Sequence, residues 1–440
     1  MSDHSFVSPY IPNTDEDHAE MLAAIGAGTI DDLFSDIPQE HRNPELLLPA
    51  PLSEMELRAQ MGSLAEKNFQ AGHHASFLGA GVYNHFCPSV VQPLVTRGEF
   101  LTSYTPYQPE VAQGTLQGTY EFQTLTAQLY GMEVSNAGMY DGASALAEAA
   151  LMACRITKRS RVAVTNTLNP HYADVIRAYL APQDIEVFLV DPKSAEIPDE
   201  TACVLAQYPN FYGYIEDMPT MADMAHANGA LLAVSCDPLA LAMFQSPGSF
   251  GADIATGEGQ ALGIPASFGG PYVGIFTCRQ DYLRQMPGRI VGKTVDTEDR
   301  VGYVLTLQPR EQHIRREHAT SNICTSTALI ALWATIYTSL MGKRGLRHVA
   351  ELCYQKSHYA ANKLSELPGY SLPIDGVFFQ EFVVSCPHSP DKVNRALELA
   401  GIVGGFDVSN RYKNGLLLCV TEVNRQQDID HLVQTLGAIA

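Results

Sequence analysis

Six short apolar runs, at Arg161–Thr165, Glu186–Val190, Ala202–Ala206, Leu231–Val234, Asp253–Thr256 and Tyr272–Phe276, alternate with stretches of helical period. The stretches between them, Ser144–Thr157, Tyr172–Leu180 and Met218–Asn228, carry apolar residues three and four apart. Strands joined through helices pair in parallel, and parallel strands covered on both faces become near-continuous apolar runs. The pattern therefore predicts an α/β protein built on a mostly parallel sheet.

The flanks read differently. Thr14 with Asp17, and Ser53 with Glu56, have the spacing of helix N-caps, Thr29 opens a further short helix, and Gly26 suits a helix end. After the sheet region come a buried helix at Ala328–Met341 and a long helix at Leu346–Glu366. The tail then alternates strand and helix through Gln380–Ser385, Pro390–Ala400, Gly415–Val420 and Gln426–Leu436. The expected organisation is a helical arm over 1–70, a large α/β domain over 71–327, and connecting helices with a small α/β domain over 328–440.

Charge narrows the partners. With 28 Lys plus Arg against 48 Asp plus Glu, the net charge is −20. Such a surface repels nucleic-acid phosphates and anionic membranes. Nine dispersed Cys without a Cys-x-x-Cys, and no basic-then-apolar leader in the first residues, lead us to expect a cytoplasmic chain with reduced thiols.

Two glycine-rich segments imitate nucleotide motifs without matching them. Pro287–Thr294 ends like a P-loop but has Pro where the first Gly belongs, and Gly257–Gly263 misses the dinucleotide spacing by one residue. His313 and His318 are five apart and His73–His74 adjacent, so no metal site is expected.

Three other segments concentrate chemistry. In Tyr104-Thr105-Pro106-Tyr107-Gln108-Pro109-Glu110, two prolines stiffen a loop carrying aromatic, amide and carboxylate groups, suited equally to a ligand wall or a packed structural loop. In Asn136 to Ser144, Tyr140 precedes a glycine-containing turn into a helix. Asp141 there sits at the N-cap and would repel a phosphate. In Arg310 to Thr325, three arginines stand close together, ahead of Thr320-Ser321-Asn322. Arg315 and Arg316 offer a carboxylate clamp, or Glu311 pairs with Arg315 one turn on.

These segments, with Ser76-Phe-Leu-Gly-Ala-Gly-x-Tyr83 and Pro287-Gly-Arg-Ile-Val-Gly, together resemble the P-protein family of the glycine cleavage system over essentially the whole chain. The resemblance implies the fold type I architecture of pyridoxal 5'-phosphate (PLP) enzymes, a seven-stranded-type sheet with a small C-terminal domain. The family occurs as one long two-half chain or as two subunits, and this chain is similar to subunit 1. In the family's catalytic half a Lys five residues before a Pro forms the Schiff base. Counting back from Pro265 gives Gln260, an amide unable to form an imine.

PLP is thus expected on a partner, subunit 2, in a two plus two heterotetramer. That assembly would decarboxylate glycine and pass the aminomethyl group to the lipoyl arm of the H-protein. This chain would supply a substrate-site wall from Tyr104, Thr105, Tyr107, Gln108 and Glu110. Asn136, Tyr140, Asp141, Arg315, Arg316, Thr320, Ser321 and Asn322 would support the interface or cleft. A purely structural or regulatory subunit, or an independent PLP-fold enzyme, are the alternatives.

Overall fold

The computed structural model of the protein describes residues 10, 12–42, 44–45, 47–69, 74–101, 105–193, 197–323 and 325–439. Two compact units divide the chain, Met1–Asn68 and Phe69–Ala440.

The first unit contains helices α1 (Asp15–Ile25) and α2 (Glu54–Ala65). Both start at the capping boxes read from the sequence. The Asp17 N–H donates to Thr14 Oγ1 over 3.2 Å, and the Ser53 N–H donates to Glu56 Oε2 over 3.0 Å. Gly26 ends α1 in the left-handed region at φ 76°. No residue of either helix is buried within the described structure.

The second unit is organised by a seven-stranded sheet. After helix α3 (Gln113–Tyr130) come β1 (Val134–Ser135), α4 (Gly142–Thr157), β2 (Arg161–Thr165), α5 (Pro170–Leu180) and β3 (Glu186–Val190). Then follow β4 (Thr201–Tyr208), α6 (Met218–Ala227), β5 (Leu231–Cys236), β6 (Ile254–Glu258) and β7 (Gly274–Cys278). The order across the sheet is β1-β7-β6-β5-β4-β2-β3. Every pairing is parallel except those of β7, which runs antiparallel to both neighbours. All six residues of β5 are buried, as a central strand covered on both faces requires. Helix α4 buries residues 142 and 144–153, its many alanines allowing close approach to the sheet.

An antiparallel hairpin, β8 (Ile290–Val295) and β9 (Val301–Thr306), follows. It occupies the false P-loop: Lys293 and Thr294 lie in a strand, not at a helix start. Gln113 and Gln123 of α3 tie the hairpin down, each bonding both the N–H and the C=O of one strand residue, Tyr303 and Val291.

The two helices expected after residue 327 form one long element, α7 (Ala328–Ser365), broken at Gly342, where φ 58° and ψ −178° are accessible to glycine. Its second half packs on a three-stranded antiparallel sheet of β10 (Glu381–Ser385), β12 (Gly415–Cys419) and β11 (Phe406–Asp407). Helices α8 (Pro390–Leu399) and α9 (Gln426–Gly437) complete this layer. Among the described residues no helix is long and apolar enough to cross a membrane.

Candidate functional site

Strand ends and the N-terminus of α4 converge on a narrow cleft, where a fold of this kind places ligands. Asp141 caps α4, its Oδ1 accepting the Ser144 N–H over 2.7 Å. The Gly142 N–H, the donor an incoming anion would need, already points at Glu258 Oε2 over 2.9 Å. Glycine is required at 142, because a Cβ there would stand 2.5 Å from the Tyr172 hydroxyl. Burial pushes the Glu258 carboxyl up to about 8, and the negative charge of Asp141 adds to the effect.

Gln260 lies beside it, 1% exposed and fully engaged. Its Oε1 accepts the Tyr83 N–H over 2.8 Å, and its Nε2 donates to the carbonyls of Tyr83 and Ile264 over 2.8 and 2.7 Å. An amide can give and accept at once; a lysine ammonium there has nothing with which to accept the Tyr83 N–H. Tyr83 is further held by its hydroxyl, which donates to Glu381 Oε2 over 2.8 Å, while Glu381 Oε1 accepts the Ala80 N–H. Burial raises the Glu381 carboxyl to about 7.

Asp237 follows β5 directly and lines the same cleft. Its carboxylate is turned to the Leu239 N–H and the Gln380 side-chain amide, over 2.8 and 2.9 Å. The remaining space is about 30 Å³, room for water and not for a cofactor. These residues therefore do not fit PLP: the imine-forming amine is missing, and the phosphate position is filled by the chain's own carboxylates.

A second cluster is built on Arg289, 4% exposed, at the entry to β8. Its Nε meets buried Glu311 at 3.2 Å, one terminal nitrogen donates to Thr105 Oγ1 over 3.3 Å, and the other donates to the Tyr107 hydroxyl over 2.9 Å. The guanidinium also sits 5.3 Å from the centre of the Tyr107 ring, whose other neighbour is His313, edge-on at 5.6 Å. Asn136 and Arg310 fix the chain leading to Arg289: the Asn136 amide donates to the Pro287 carbonyl over 3.0 Å, and Arg310 bonds the carbonyls of Met286 and Gly288. A buried cation thus anchors a loop whose outer surface stays open. Tyr107 is 43% exposed, and Gln108 and Glu110 are exposed beside it.

The other residues singled out in the sequence are dispersed. Tyr104 lies outside the described residues, and Tyr140 is exposed. Arg315 and Arg316 are exposed on a short turn; Arg310, the third arginine, is spent on backbone carbonyls. The Glu311–Arg315 pair, one of the two readings open for this segment, does not form, because the Glu311 carboxylate turns inward to Arg289. Thr320, Ser321 and Asn322 line a different cavity, behind α4.

A family model for the glycine cleavage system P-protein matches residues 8–436. The chain belongs to that family. It is 50% identical to a probable glycine dehydrogenase (decarboxylating) subunit 1 of Desulforamulus reducens, covering 98% of this chain and 100% of the relative. The corresponding protein of Thermomicrobium roseum is 49% identical, over 97% and 98%. A crystal structure of glycine decarboxylase (P-protein) of the glycine cleavage system, in inhibitor-bound form, superposes with a TM-score of 0.92 at 43% identity, covering 98% of this chain and all of that one. Sphingosine-1-phosphate lyase of Burkholderia pseudomallei, at 14% identity and TM-score 0.64, shares the fold. The P-protein chain described here is thus a PLP fold type I protein.

The roles of Arg289 and Glu258, and the true partner of Glu311, are not legible in the sequence. Arg289 hides in the string taken for a failed P-loop, and its partners lie 182 and 22 residues away. Glu258 ends a strand with no local signal that it reaches across to α4. Also unreadable from spacing was a buried triad, in which His85 Nδ1 lies 2.7 Å from Glu422 and the Cys353 thiol donates to the same carboxylate over 3.4 Å. Its members already bond one another, as an internal structural cluster requires.

Proposed function

We propose that this chain is the subunit of a heteromeric glycine dehydrogenase (decarboxylating) that lacks the cofactor lysine. Its partner, subunit 2, binds PLP covalently in a two plus two heterotetramer in the cytoplasm. Together they decarboxylate glycine, release CO2 and hand the aminomethyl group to the lipoyl arm of the H-protein. The chemistry of the cofactor, withdrawal of electrons from the carbon losing CO2, belongs to the partner.

The observation that carries this reading is Gln260, locked between Tyr83 and Ile264 in a cleft closed by Glu258. What this chain offers the reaction is the Arg289-anchored loop. Thr105, Tyr107, Gln108 and Glu110, with Tyr104, form a polar wall against the partner's site, Tyr107 orienting glycine through its hydroxyl. Asn136, through its grip on the Pro287 carbonyl, keeps that wall in register. Asp141 closes this chain's own cleft, and Tyr140, Arg315 and Arg316 face outward, toward subunit contact.

Reconstitution tests this. Glycine–CO2 exchange is expected only when both subunits are present, and Tyr107→Phe should lower it by about tenfold while shifting the melting temperature by no more than about 2 °C. Full exchange by subunit 2 alone overturns the wall and leaves an assembly role.

A further inference from the structure

The β8–β9 hairpin pairs with no third strand among the described residues, so both of its edges are open. A lone hairpin is marginal in water, and this one is held at its base, where Gln123 pins Val291 and Gln113 pins Tyr303. Its tip is ordered as well. Asp296 accepts the N–H groups of Glu298 and Arg300 over 2.8 and 2.9 Å. The Arg300 guanidinium pairs with Asp296 at 2.8 Å and with Glu298 at 3.1 Å, so three of the tip's charges are spent within the hairpin.

Every residue from 293 to 301 is exposed. Within that stretch Val295 and Val301 stand directly opposite one another, 57% and 56% exposed. Side chains two apart share a face, so this apolar pair continues the face on which Tyr303 meets Tyr120 of α3, ring centres 5.4 Å apart. Beside β9 lies Pro109–Val111, with Val111 81% exposed. The Gln113 amide donates to the Pro109 and Tyr303 carbonyls together, over 2.7 and 2.9 Å, and so ties the hairpin to the Tyr107 loop. An apolar strip with open strand edges, held rigid and continuous with the polar wall, has the form of a contact surface. A second copy of this chain suits it poorly, because two chains of net charge −20 repel. We infer that Val295, Val301 and Val111 dock on the PLP-bearing partner subunit and seat the Tyr107 wall against the partner's site.

The inference rests on the heteromer proposed above, and its test separates the two. The full chain is titrated against fluorescently labelled subunit 2, and the dissociation constant is read by sedimentation with fluorescence detection. Val295→Asp combined with Val301→Asp should raise that constant by about tenfold or more, because two carboxylates would lose water in the contact. Val295→Thr combined with Val301→Thr keeps strand propensity and shape. It should raise the constant by about threefold in a chain that melts within about 2 °C of wild type. Leu399→Asp, at an exposed apolar position at the end of α8, should leave the constant unchanged. Wild-type chains that do not associate overturn the heteromer and the strip together. Association unaffected by either valine pair, weakening by Leu399→Asp to the same degree, or self-association of this chain that the double Asp variant dissolves, overturns the strip and leaves the heteromer standing.

Discussion

The cleft at the head of α4 and the loop held by Arg289 handle buried charge in opposite ways. In the cleft, Glu258, Gln260 and Glu381 turn their polar groups inward onto backbone N–H groups, carbonyls and the Tyr83 hydroxyl. The result is a closed knot with room for little more than water. At Arg289 one buried cation holds Thr105 and Tyr107 from beneath, leaving the tyrosine ring and the residues after it facing solvent. One region has consumed its hydrogen-bonding capacity in cohesion; the other has kept capacity in reserve for contact. The difference tells a degenerate pocket from a usable surface better than residue type alone does, because both regions are rich in Tyr, Gln and Glu.

Breaking the second region should cost more stability than breaking the first. Arg289→Ala leaves the buried Glu311 carboxylate with only the His313 ring nearby, 3.6 Å away, so unfolding in urea should show a loss of about 3–5 kcal/mol. Arg289→Lys, lacking the planar fork, should recover only part of it. In the cleft, Gln260→Lys strips the Tyr83 N–H of its acceptor. It should destabilise the chain by about 1–3 kcal/mol, and it should not restore cofactor binding, read as the absence of PLP absorbance after dialysis.

A pH series sharpens the contrast further. Glu258 and Glu381, raised to about 8 and about 7, bind protons in the folded chain that the unfolded chain has already released. Their contribution is therefore complete below about pH 4.5 and is lost as pH rises through 7 and 8. Relative to wild type, Glu258→Gln should gain about 1–3 kcal/mol between pH 5 and pH 9 in denaturant melts. The smallest effect on folding belongs to Tyr107→Phe, within about 1 kcal/mol, since the ring keeps its place over the guanidinium while the hydroxyl goes.

What the sequence reveals follows the reach of each interaction. The caps at Thr14, Ser53 and Asp141 act within three residues, and all three form. The apolar runs from Arg161 onward become neighbouring strands because a buried parallel sheet imposes a pattern that composition can show. The hairpin at residues 290–306 was hidden by its likeness to a nucleotide loop. The spacing offered Glu311 the arginine one turn away as one of two readings, whereas its partner is a buried guanidinium from another segment. Gln260 is the instructive middle case. Its position implied that it could not do a lysine's work, but nothing local said what it does instead, since Tyr83 lies 177 residues away.

The amide at 260 also bears on how this subunit can change over generations. A single change to lysine there meets a folding penalty at once, while Glu258 still occupies the Gly142 N–H. Removing Glu258 first uncaps the Gly142 N–H with nothing to replace it. Neither change opens the cleft by itself. The cleft of this chain is thereby kept shut by two side chains acting together.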